Sequence, residues 1–358
     1  MHLNTDKRAQ NTQCEMAETI DILENDILDL SPQILKTLLK DHSVSHYYKE
    51  ERNIIWATHD YESLGAGYGY HEPILSPLIT GARGNLIQPR AKKSREVQQQ
   101  RITDKAEVFT PAWICNKQNN LVDNAWFGRE GVFNTETDTP DGQHIWQPTD
   151  GKIEFPERKT WTDYTRAPRL EVACGEAPYL VSRYDATACN ELIPVGRRIG
   201  LFDRKLRIVG EITETPDEWL VEAFNALHST YGFEWQGDNL LLAREAMLYT
   251  FAEHYEAKFQ QQLDTKTLEN AAYIISWNLW QMVGIKCVVP DSCEWAAPED
   301  IENQFDALGN LIIVKKKREC PACKSKTNQN KGHIGIRCHI KDWFSKGEPE
   351  IPFLSLIK

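Results

Sequence analysis

Cysteines near the carboxyl end of the chain have a spacing that could bind a metal ion. Cys320 and Cys323 are separated by two residues, and Cys338 follows them. Two cysteines at such a tight turn can donate thiolates to one ion, while more distant ligands complete a tetrahedron around zinc. The predicted ligands of a structural zinc ion are Cys293, Cys320, Cys323 and Cys338. His333 is an alternative to Cys293 as the fourth ligand, and His339 is a weaker alternative because it directly follows Cys338.

This zinc is expected to stabilise structure rather than to catalyse a reaction. The polar, lysine-rich sequence after Cys293 offers few core residues, and metal affinity can supply folding energy to such a module. A catalytic zinc of the base-deaminase kind would need a His-x-Glu signature, which is missing near these cysteines. Unligated cysteines are the alternative interpretation.

The stretch from Leu170 to Leu180 combines a short apolar strand with a glycine turn. It resembles the Asp-Pro-Ala-Cys-Gly-Ser-Gly segment, followed by an aromatic residue and leucine, of amino-methylating DNA methyltransferases. The matching positions are Ala173, Cys174, Gly175, Tyr179 and Leu180, with Glu171 in place of the aspartate. The departures are Val172, Glu176 and Ala177. The resemblance implies an S-adenosylmethionine site at the end of this strand, where strand order reverses and glycine lets backbone approach the ligand. A strand end with a buried cysteine and a turn glycine is the alternative.

A second segment, Glu107-Val108-Phe109-Thr110-Pro111, lies ahead of this strand. It resembles the family segment that covers the methionine end of the cofactor. The resemblance implies a ring face from Phe109, a hydroxyl from Thr110 and a rigid helix start from Pro111. Because the segment precedes the first strand, the order is that of adenine-methylating modification subunits of bacterial restriction-modification systems. By itself, the same tripeptide is also a common helix entry.

An acidic residue follows the predicted second strand. Glu234 closes Tyr231-Gly232-Phe233, and the resemblance implies that its carboxylate accepts hydrogen bonds from the ribose hydroxyls of the cofactor. Trp235 would then lie over the adenine ring. Asp203 is a competing candidate for the ribose contact, and a helix-capping role for Glu234 is the structural alternative.

The base-binding tetrapeptide of adenine methyltransferases has no direct counterpart. That motif has a polar residue followed by Pro-Pro and an aromatic residue, and the sequence contains no Pro-Pro pair. By position, Asn278 could accept from N6 of the base and Trp280 could stack on it, so these two are the predicted catalytic residues. The stretch from Val288 to Ser292 is a second candidate, and an aromatic-rich core helix is the alternative for the first.

The elements that must position these residues fall into three predicted parts. Residues 1–105 form a helical, DNA-contacting region with two amphipathic helices between Thr19 and Lys40 that break at Ser31-Pro32. A short strand is predicted at Asn53–Ala57. Residues 106–290 form the methyltransferase-like domain, and residues 291–358 form a zinc-ribbon-like module.

Short apolar runs between helical segments predict an α/β domain with a mostly parallel sheet in the middle part. Its first strand is Leu170–Val172, and a helix from Asp217 leads to the second strand at Tyr231–Phe233. A long helix is predicted from Asn239 to Tyr255. The Thr-, Asp-, Pro- and Trp-rich residues 133–165 are predicted to be a surface excursion.

Composition indicates a globular protein. The chain has 358 residues, eleven tryptophans, nine cysteines and a formal net charge of −11. An apolar segment typical of a signal peptide or membrane span is lacking, so we expect a cytoplasmic protein with reduced thiols and no membrane partner. The candidate phosphate contacts are Arg83, Arg90, Lys92, Lys93, Arg95, Arg101 and Lys105, followed by Lys315, Lys316, Lys317 and Arg318. Ordinary solvated surface is the alternative for both clusters.

The resemblance as a whole implies a Rossmann-like, S-adenosylmethionine-dependent methyltransferase core that methylates N6 of adenine in double-stranded DNA. The expected setting is a bacterial or phage restriction-modification or defence system, with a specificity, nuclease or second methyltransferase subunit as partner. The alternative function is a catalytically inactive, methyltransferase-like DNA-binding or assembly subunit that needs a partner chain. A zinc-dependent nuclease is a weaker alternative, because the sequence lacks a clear paired-carboxylate motif.

Overall fold

The computed structural model describes residues 24–92, 110–140, 142–185, 192–305, 311–325 and 332–357. The predicted start of the first helix at residues 19–23 lies outside these ranges. Among the described helices, none combines the length and the apolar composition needed to cross a lipid bilayer.

The described part of the amino-terminal region, residues 24–92, begins with helices. Its helices are α1 (Glu24–Leu30), α2 (Pro32–Leu39), α3 (His42–Tyr48) and the single turn α4 (Ser76–Ile79). The predicted break at Ser31-Pro32 is confirmed, because the Ser31 hydroxyl accepts from the amide of Gln33 and Pro32 opens α2. The predicted strand at Asn53–Ala57 is wrong. That segment is extended but makes only isolated bridges. The Gln281 side chain accepts a hydrogen bond from the Ile55 amide and donates one to the Ile55 carbonyl.

The predicted surface excursion has regular structure and a small core of its own. After α5 (Ala112–Phe127), strands β1 (Asn134–Asp138) and β2 (His144–Pro148) form an antiparallel hairpin, and α6 (Trp161–Thr165) follows. The apolar side chains beneath this excursion are Phe127, Val132, Phe133, Ile153, Tyr164 and Ile208. This cluster fixes the excursion against the helix that contains Ile208.

Three parallel strands form the sheet that carries the predicted motifs. They are β3 (Arg169–Val172), β4 (Thr230–Glu234) and β5 (Leu279–Gln281), in the order β3-β4-β5. The predicted first and second strands are confirmed. The sheet keeps the order of the chain, so the described strands contain no reversal of strand order, contrary to the crevice expected at such a reversal.

Paired helices connect these strands. Helices α7 (Leu201–Ile212) and α8 (Pro216–His228) link β3 to β4, and helices α9 (Gly237–Phe259) and α10 (Thr265–Asn278) link β4 to β5. A capping box of Thr215 and Glu218 starts α8, and the Asp264 side chain caps α10. Helix α9 is buried on most of its circumference and forms the centre of the largest apolar cluster.

The carboxyl-terminal module packs directly on the sheet. Its elements are α11 (Ser292–Trp295), β6 (Glu299–Phe305), β7 (Leu311–Lys317), α12 (Pro321–Lys324), β8 (His339–Lys341) and β9 (Glu350–Pro352). Strands β6 and β7 pair antiparallel, as do β8 and β9. Ile336, Ile340 and Phe353 share an apolar cluster with Phe233 and Trp280 of the sheet. The module therefore covers one face of the sheet, and its core spans the predicted boundary at residue 290.

The remaining regular elements are single turns of 3₁₀ helix. They lie at Glu62–Leu64, Gly81–Arg83, Arg90–Lys92, Val195–Arg197 and Phe353–Leu356.

Two carboxyl groups lie inside the helical core. Glu24 of α1 and Glu245 of α9 are fully buried, and none of their four carboxyl oxygens has a hydrogen-bond partner among the described residues. Burial raises the pKa of Glu24 from 4.5 to about 8, and burial together with the Glu24 charge raises the pKa of Glu245. Glu24 is therefore mostly protonated in the folded protein at neutral pH, and the raised pKa of Glu245 favours its protonated form as well.

This buried pair predicts a loss of stability as the pH rises. Between about pH 4.5 and pH 8, the folded state binds more protons than the unfolded state. The free energy of unfolding therefore falls by up to about 1.4 kcal/mol per pH unit for Glu24 alone. We expect Glu245→Gln to flatten this dependence in urea unfolding at pH 5 and pH 8. Glu256→Gln, at an exposed position of the same helix, is the control. An unchanged pH dependence in Glu245→Gln would contradict the assignment.

Candidate functional site

The loop after β3 has an unusual backbone. Ala173, Gly175 and Ala177 all have left-handed φ angles, of 51°, 54° and 61° respectively. An L-residue pays about 1–2 kcal/mol for this conformation, whereas glycine does not. Ala177 stands where the methyltransferase pattern has its second glycine, and it keeps the conformation that glycine would favour. The loop therefore turns sharply at three alternate residues despite the departures from the pattern.

The loop is fastened to the end of the neighbouring strand. The amide of Gly175 donates to Oε2 of Glu234 at 2.8 Å, and the other oxygen of Glu234 accepts from the amide of Gln236 at 3.2 Å. Glu234 is only 7% exposed. Its carboxylate thus joins the β3 loop to the start of α9, so the structure brings the predicted residues Gly175 and Glu234 into direct contact.

Glu171 closes the loop from the other side. Its carboxylate accepts from the amides of Tyr179 and Leu180 at 3.4 and 3.1 Å. Asn119 of α5 adds a hydrogen bond from its amide to the Tyr179 carbonyl at 2.9 Å. In this arrangement Glu171 holds the turn in shape, which is a positioning role.

Cys174 points into the protein. Its side chain is 1% exposed, and a methyl group added at Gly232 would lie 3.2 Å from its sulfur. Burial raises the pKa of the Cys174 thiol well above its usual value, and the nearby Glu171 and Glu234 carboxylates raise it further. Cys174 is therefore a neutral thiol that packs against β4.

The segment before α5 shares a cleft with this loop. The cleft is lined by Thr110, Glu176, Pro178, Val181, Arg183, Tyr184 and Ala246. Pro111 is the residue that precedes α5, and the Asp185 side chain accepts from the first amide of that helix at 3.2 Å. The structure thus brings Thr110 and the loop together, while the predicted residue Phe109 lies outside the described residues.

Aromatic side chains lie at the carboxyl end of β4. Trp235 is 42% exposed, and its indole nitrogen donates to the hydroxyl of Tyr70 at 2.9 Å. Nearby, Tyr61 donates to the Asp238 carboxylate at 2.9 Å at the start of α9. Sequence reasoning missed Tyr70 and Tyr61, because they come from the glycine- and tyrosine-containing segment more than 160 positions away. The alternation of tyrosine and glycine at Tyr68 and Tyr70 was the feature of the sequence that could have indicated an aromatic contact here.

Asn278 and Trp280 are not at this edge. Asn278 ends α10 and precedes β5, so it lies at the amino end of the sheet. It is fully buried, its amide donates to the carbonyls of Leu227 and Thr230, and its oxygen accepts from Trp343. In this conformation, Asn278 cannot reach a substrate at the carboxyl end.

Trp280 is also a core residue. It is 4% exposed and packs near Phe233 and Phe353, with ring centroids 5.8 and 5.0 Å away. A buried ring in this position cannot stack on a flipped base. The aromatic-rich core alternative therefore describes both predicted catalytic residues better than base recognition does.

The remaining candidates also have structural contacts. Asp203 lies on α7, accepts from the amide of Ser182 at 2.9 Å, and pairs with His254 at 2.9 Å. In the stretch from Val288 to Ser292, the apolar residues are buried in the carboxyl-terminal module. Neither candidate replaces Glu234 at the carboxyl edge of the sheet.

Four metal-ligating side chains meet in the carboxyl-terminal module. Nδ1 of His333 lies 3.6, 3.6 and 3.5 Å from the sulfurs of Cys293, Cys320 and Cys323. All four ligand atoms lie within 4.8 Å of one another, so the cluster could hold a metal ion. A tetrahedral zinc ion with usual bond lengths separates its nitrogen and sulfur ligands by about 3.5 Å. The observed spacing fits that geometry.

The thiols of this cluster differ in acidity. Burial opposes ionisation of Cys320, but hydrogen bonds from the Cys323 and Ile334 amides and from His333 lower its pKa to about 6. Burial and the neighbouring thiols raise the pKa of Cys293 to about 12. The thiolates of neighbouring cysteines repel one another. A divalent cation bound between them would offset this repulsion, because cysteine binds metal ions as the thiolate.

The predicted ligand Cys338 lies away from this cluster, and His333 lies there beside Cys293. Cys338 is 1% exposed and contacts the carbonyl of Gln281 at 3.4 Å, inside the apolar cluster on the sheet. The sequence predicted His333 only as an alternative to Cys293, and Gly335 follows it two positions later. A methyl group at Gly335 would come within 2.8 Å of the Cys293 amide, so glycine is needed where this segment passes the cluster.

The left-handed loop predicts that one alanine is strained. Ala173 is exposed, so Ala173→Gly should raise the free energy of unfolding by about 1 kcal/mol without loss of packing. The matched control, Ala257→Gly at an exposed helical position of α9, should lower it by about 1 kcal/mol. Urea unfolding of both variants measures the two signs. Destabilisation by Ala173→Gly would contradict the strain.

The metal cluster predicts different effects for two cysteine substitutions. In protein loaded with Co²⁺, Cys323→Ser should weaken the thiolate-to-cobalt charge-transfer absorption because one sulfur ligand is lost. Cys338→Ser should leave that absorption unchanged, since Cys338 lies elsewhere. Equal loss in both variants would instead favour the ligand set predicted from sequence.

Comparisons with known proteins found no relative of this chain. No protein-family model, curated protein or solved structure matches the chain. The likeness to methyltransferases therefore depends on the residues and contacts described above.

Proposed function

We propose that the chain is a methyltransferase-like modification subunit that binds S-adenosylmethionine at the carboxyl edge of its parallel sheet. The substrate would be adenine N6 in double-stranded DNA, within a restriction-modification or related defence system. A partner chain would supply the base-binding group. When bound, S-adenosylmethionine would supply the methyl group.

One contact carries this proposal, the 2.8 Å hydrogen bond between the Gly175 amide and Glu234. The family pattern has a glycine loop after one strand and an acidic residue after the next. Here these two pieces, 59 positions apart in sequence, touch at the same edge of a parallel sheet. That arrangement supports a nucleoside ligand, whose ribose hydroxyls can donate to a fixed carboxylate.

The surroundings of Glu234 are suited to an adenosine group. Trp235, which follows Glu234 in the sequence, offers a partly exposed ring, and the Tyr70 hydroxyl accepts a hydrogen bond from the indole nitrogen. An aromatic face can stack on adenine, as bases do on aromatic residues in other binding sites. Thr110 and Glu176 would lie toward the amino-acid end of the cofactor, in the cleft beside the loop.

The burial of Asn278 and Trp280 favours the version of this function that needs a partner. Neither side chain can reach a base from the amino end of the sheet. A second polypeptide with the missing polar and aromatic groups would complete base recognition. The notion of an inactive assembly subunit that keeps cofactor binding remains the second candidate, and the same burial favours it.

Contacts to DNA would come from the basic residues outside the core. Lys315 and Arg318 pair with Glu299 and Asp300 across the β6-β7 hairpin, which reduces their net attraction for phosphates. In the other cluster, Arg83 is engaged by the Tyr68 hydroxyl. Lys93, Arg95, Arg101 and Lys105 lie outside the described residues.

We propose zinc as the ion of the Cys293 cluster, with a structural role in the module.

Calorimetric titration with S-adenosylmethionine tests the cofactor site. We expect binding by the wild type and loss of detectable binding in Gly175→Asp, because a side chain at φ 54° strains the loop and adds charge beside Glu234. Gly196→Asp is the matched control, since a methyl group there meets no heavy atom within 4 Å. Absence of binding by the folded wild type, or normal binding by folded Gly175→Asp, would contradict the proposal.

Transfer of labelled methyl groups to DNA separates the two candidate functions. Transfer by the chain with its partner, but not by the chain alone, is the result expected for a modification subunit with a shared site. Cofactor binding without transfer in any assembly would favour the inactive assembly subunit.

A further inference from the structure

A second group of metal-ligating side chains lies where the amino-terminal helices meet the carboxyl-terminal module. His46 of α3, His339 of β8 and Glu350 of β9 have one ligand atom each within 4.8 Å of the others. Nδ1 of His46 is 2.9 Å from a Glu350 carboxylate oxygen, and the two imidazole rings are 4.6 Å apart between centroids. The three residues come from three separate elements.

The fold itself brings these residues together. In the β8-β9 pair, His339 is opposite Pro352 and Lys341 is opposite Glu350, so His339 and Glu350 are diagonal neighbours on one face of the ribbon. The His339 amide donates to the Ser43 hydroxyl at 3.0 Å, which holds β8 against the start of α3. His46 lies one turn further along that helix and thus reaches the same face.

Nδ1 of His339 is buried and has no hydrogen-bond partner among the described residues. A buried polar atom without a partner is less stable than one that binds a cation or a hydrogen-bond donor. His46 and Glu350 remain partly exposed, so an ion from solvent can reach the cluster.

We propose that His46, His339 and Glu350 form a second metal site, which binds a divalent first-row transition ion such as Zn²⁺. Two imidazoles and one carboxylate suit these ions and leave further coordination positions for water. The site is separate from the cysteine cluster and contains no sulfur. Its ion would join residues almost 300 positions apart in sequence, and so clamp α3 to the module.

The chain contains a matched control for this cluster. His59 and Glu62 form an exposed pair with Nδ1 and a carboxylate oxygen 2.7 Å apart, much like His46 and Glu350. The described residues provide no third metal ligand for the His59 pair. Replacement of His59 therefore removes an equivalent surface histidine without removing a proposed site.

Equilibrium dialysis against Zn²⁺ with metal analysis tests the proposal. We expect His46→Gln and Glu350→Gln each to lose one equivalent of zinc per chain relative to the wild type, while His59→Gln loses none. Both substituted side chains are partly exposed, and circular dichroism checks that the variants fold. Retention of the full equivalent in folded His46→Gln and Glu350→Gln would overturn the site.

Co²⁺ absorption and thermal unfolding provide independent readouts. The His46→Gln variant should retain the thiolate-to-cobalt charge transfer of the cysteine cluster, because the lost site has no sulfur ligand. Added Zn²⁺ should raise the melting temperature of the wild type more than that of His46→Gln, since the ion binds only the folded clamp. Equal shifts in both proteins would reject the clamp.

Discussion

The carboxylate of Glu234 is the constraint on which the candidate cofactor site depends. It receives hydrogen bonds from Gly175 in the β3 loop and from Gln236 before α9, so one buried side chain fixes two chain segments at the edge of the sheet. The strained alanines beside Gly175 keep their left-handed backbone within this framework. Strain of this kind persists only where surrounding contacts determine the conformation, and it is concentrated at functional sites.

Behind this edge, the fold is held by buried polar contacts as well as by apolar packing. Arg244 of α9 is 1% exposed and donates to the carbonyls of Leu279, Ser276 and Lys40, so it joins the core helix to β5 and to the end of α2. On the opposite face, the carboxyl-terminal module contributes Ile340 and Phe353 to the cover of the sheet. A metal ion bound by Cys293, Cys320, Cys323 and His333 would therefore stabilise a layer that covers the sheet.

Local signals in the sequence predicted local structure well. The Ser31-Pro32 break, the β3 and β4 strands and the Cys320–Cys323 turn each depend on neighbouring residues, and each was predicted. Long-range features were harder to foresee. Asn278 looked suitable by position along the chain, but helix α10 ends at the amino side of the sheet, where Trp343 and two carbonyls bind its amide. His333 rather than Cys338 completes the cysteine cluster because the path of the chain, not spacing alone, decides which side chains meet.

Amide hydrogen exchange with and without S-adenosylhomocysteine tests the central claim most directly, because it reports where a ligand acts on the chain. We predict slower exchange in peptides that contain residues 173–177 and 234–238, with unchanged exchange around Asn278 at the other end of the sheet. Protection confined to other regions, or no protection at millimolar ligand concentrations, would contradict a cofactor site at the Gly175–Glu234 contact.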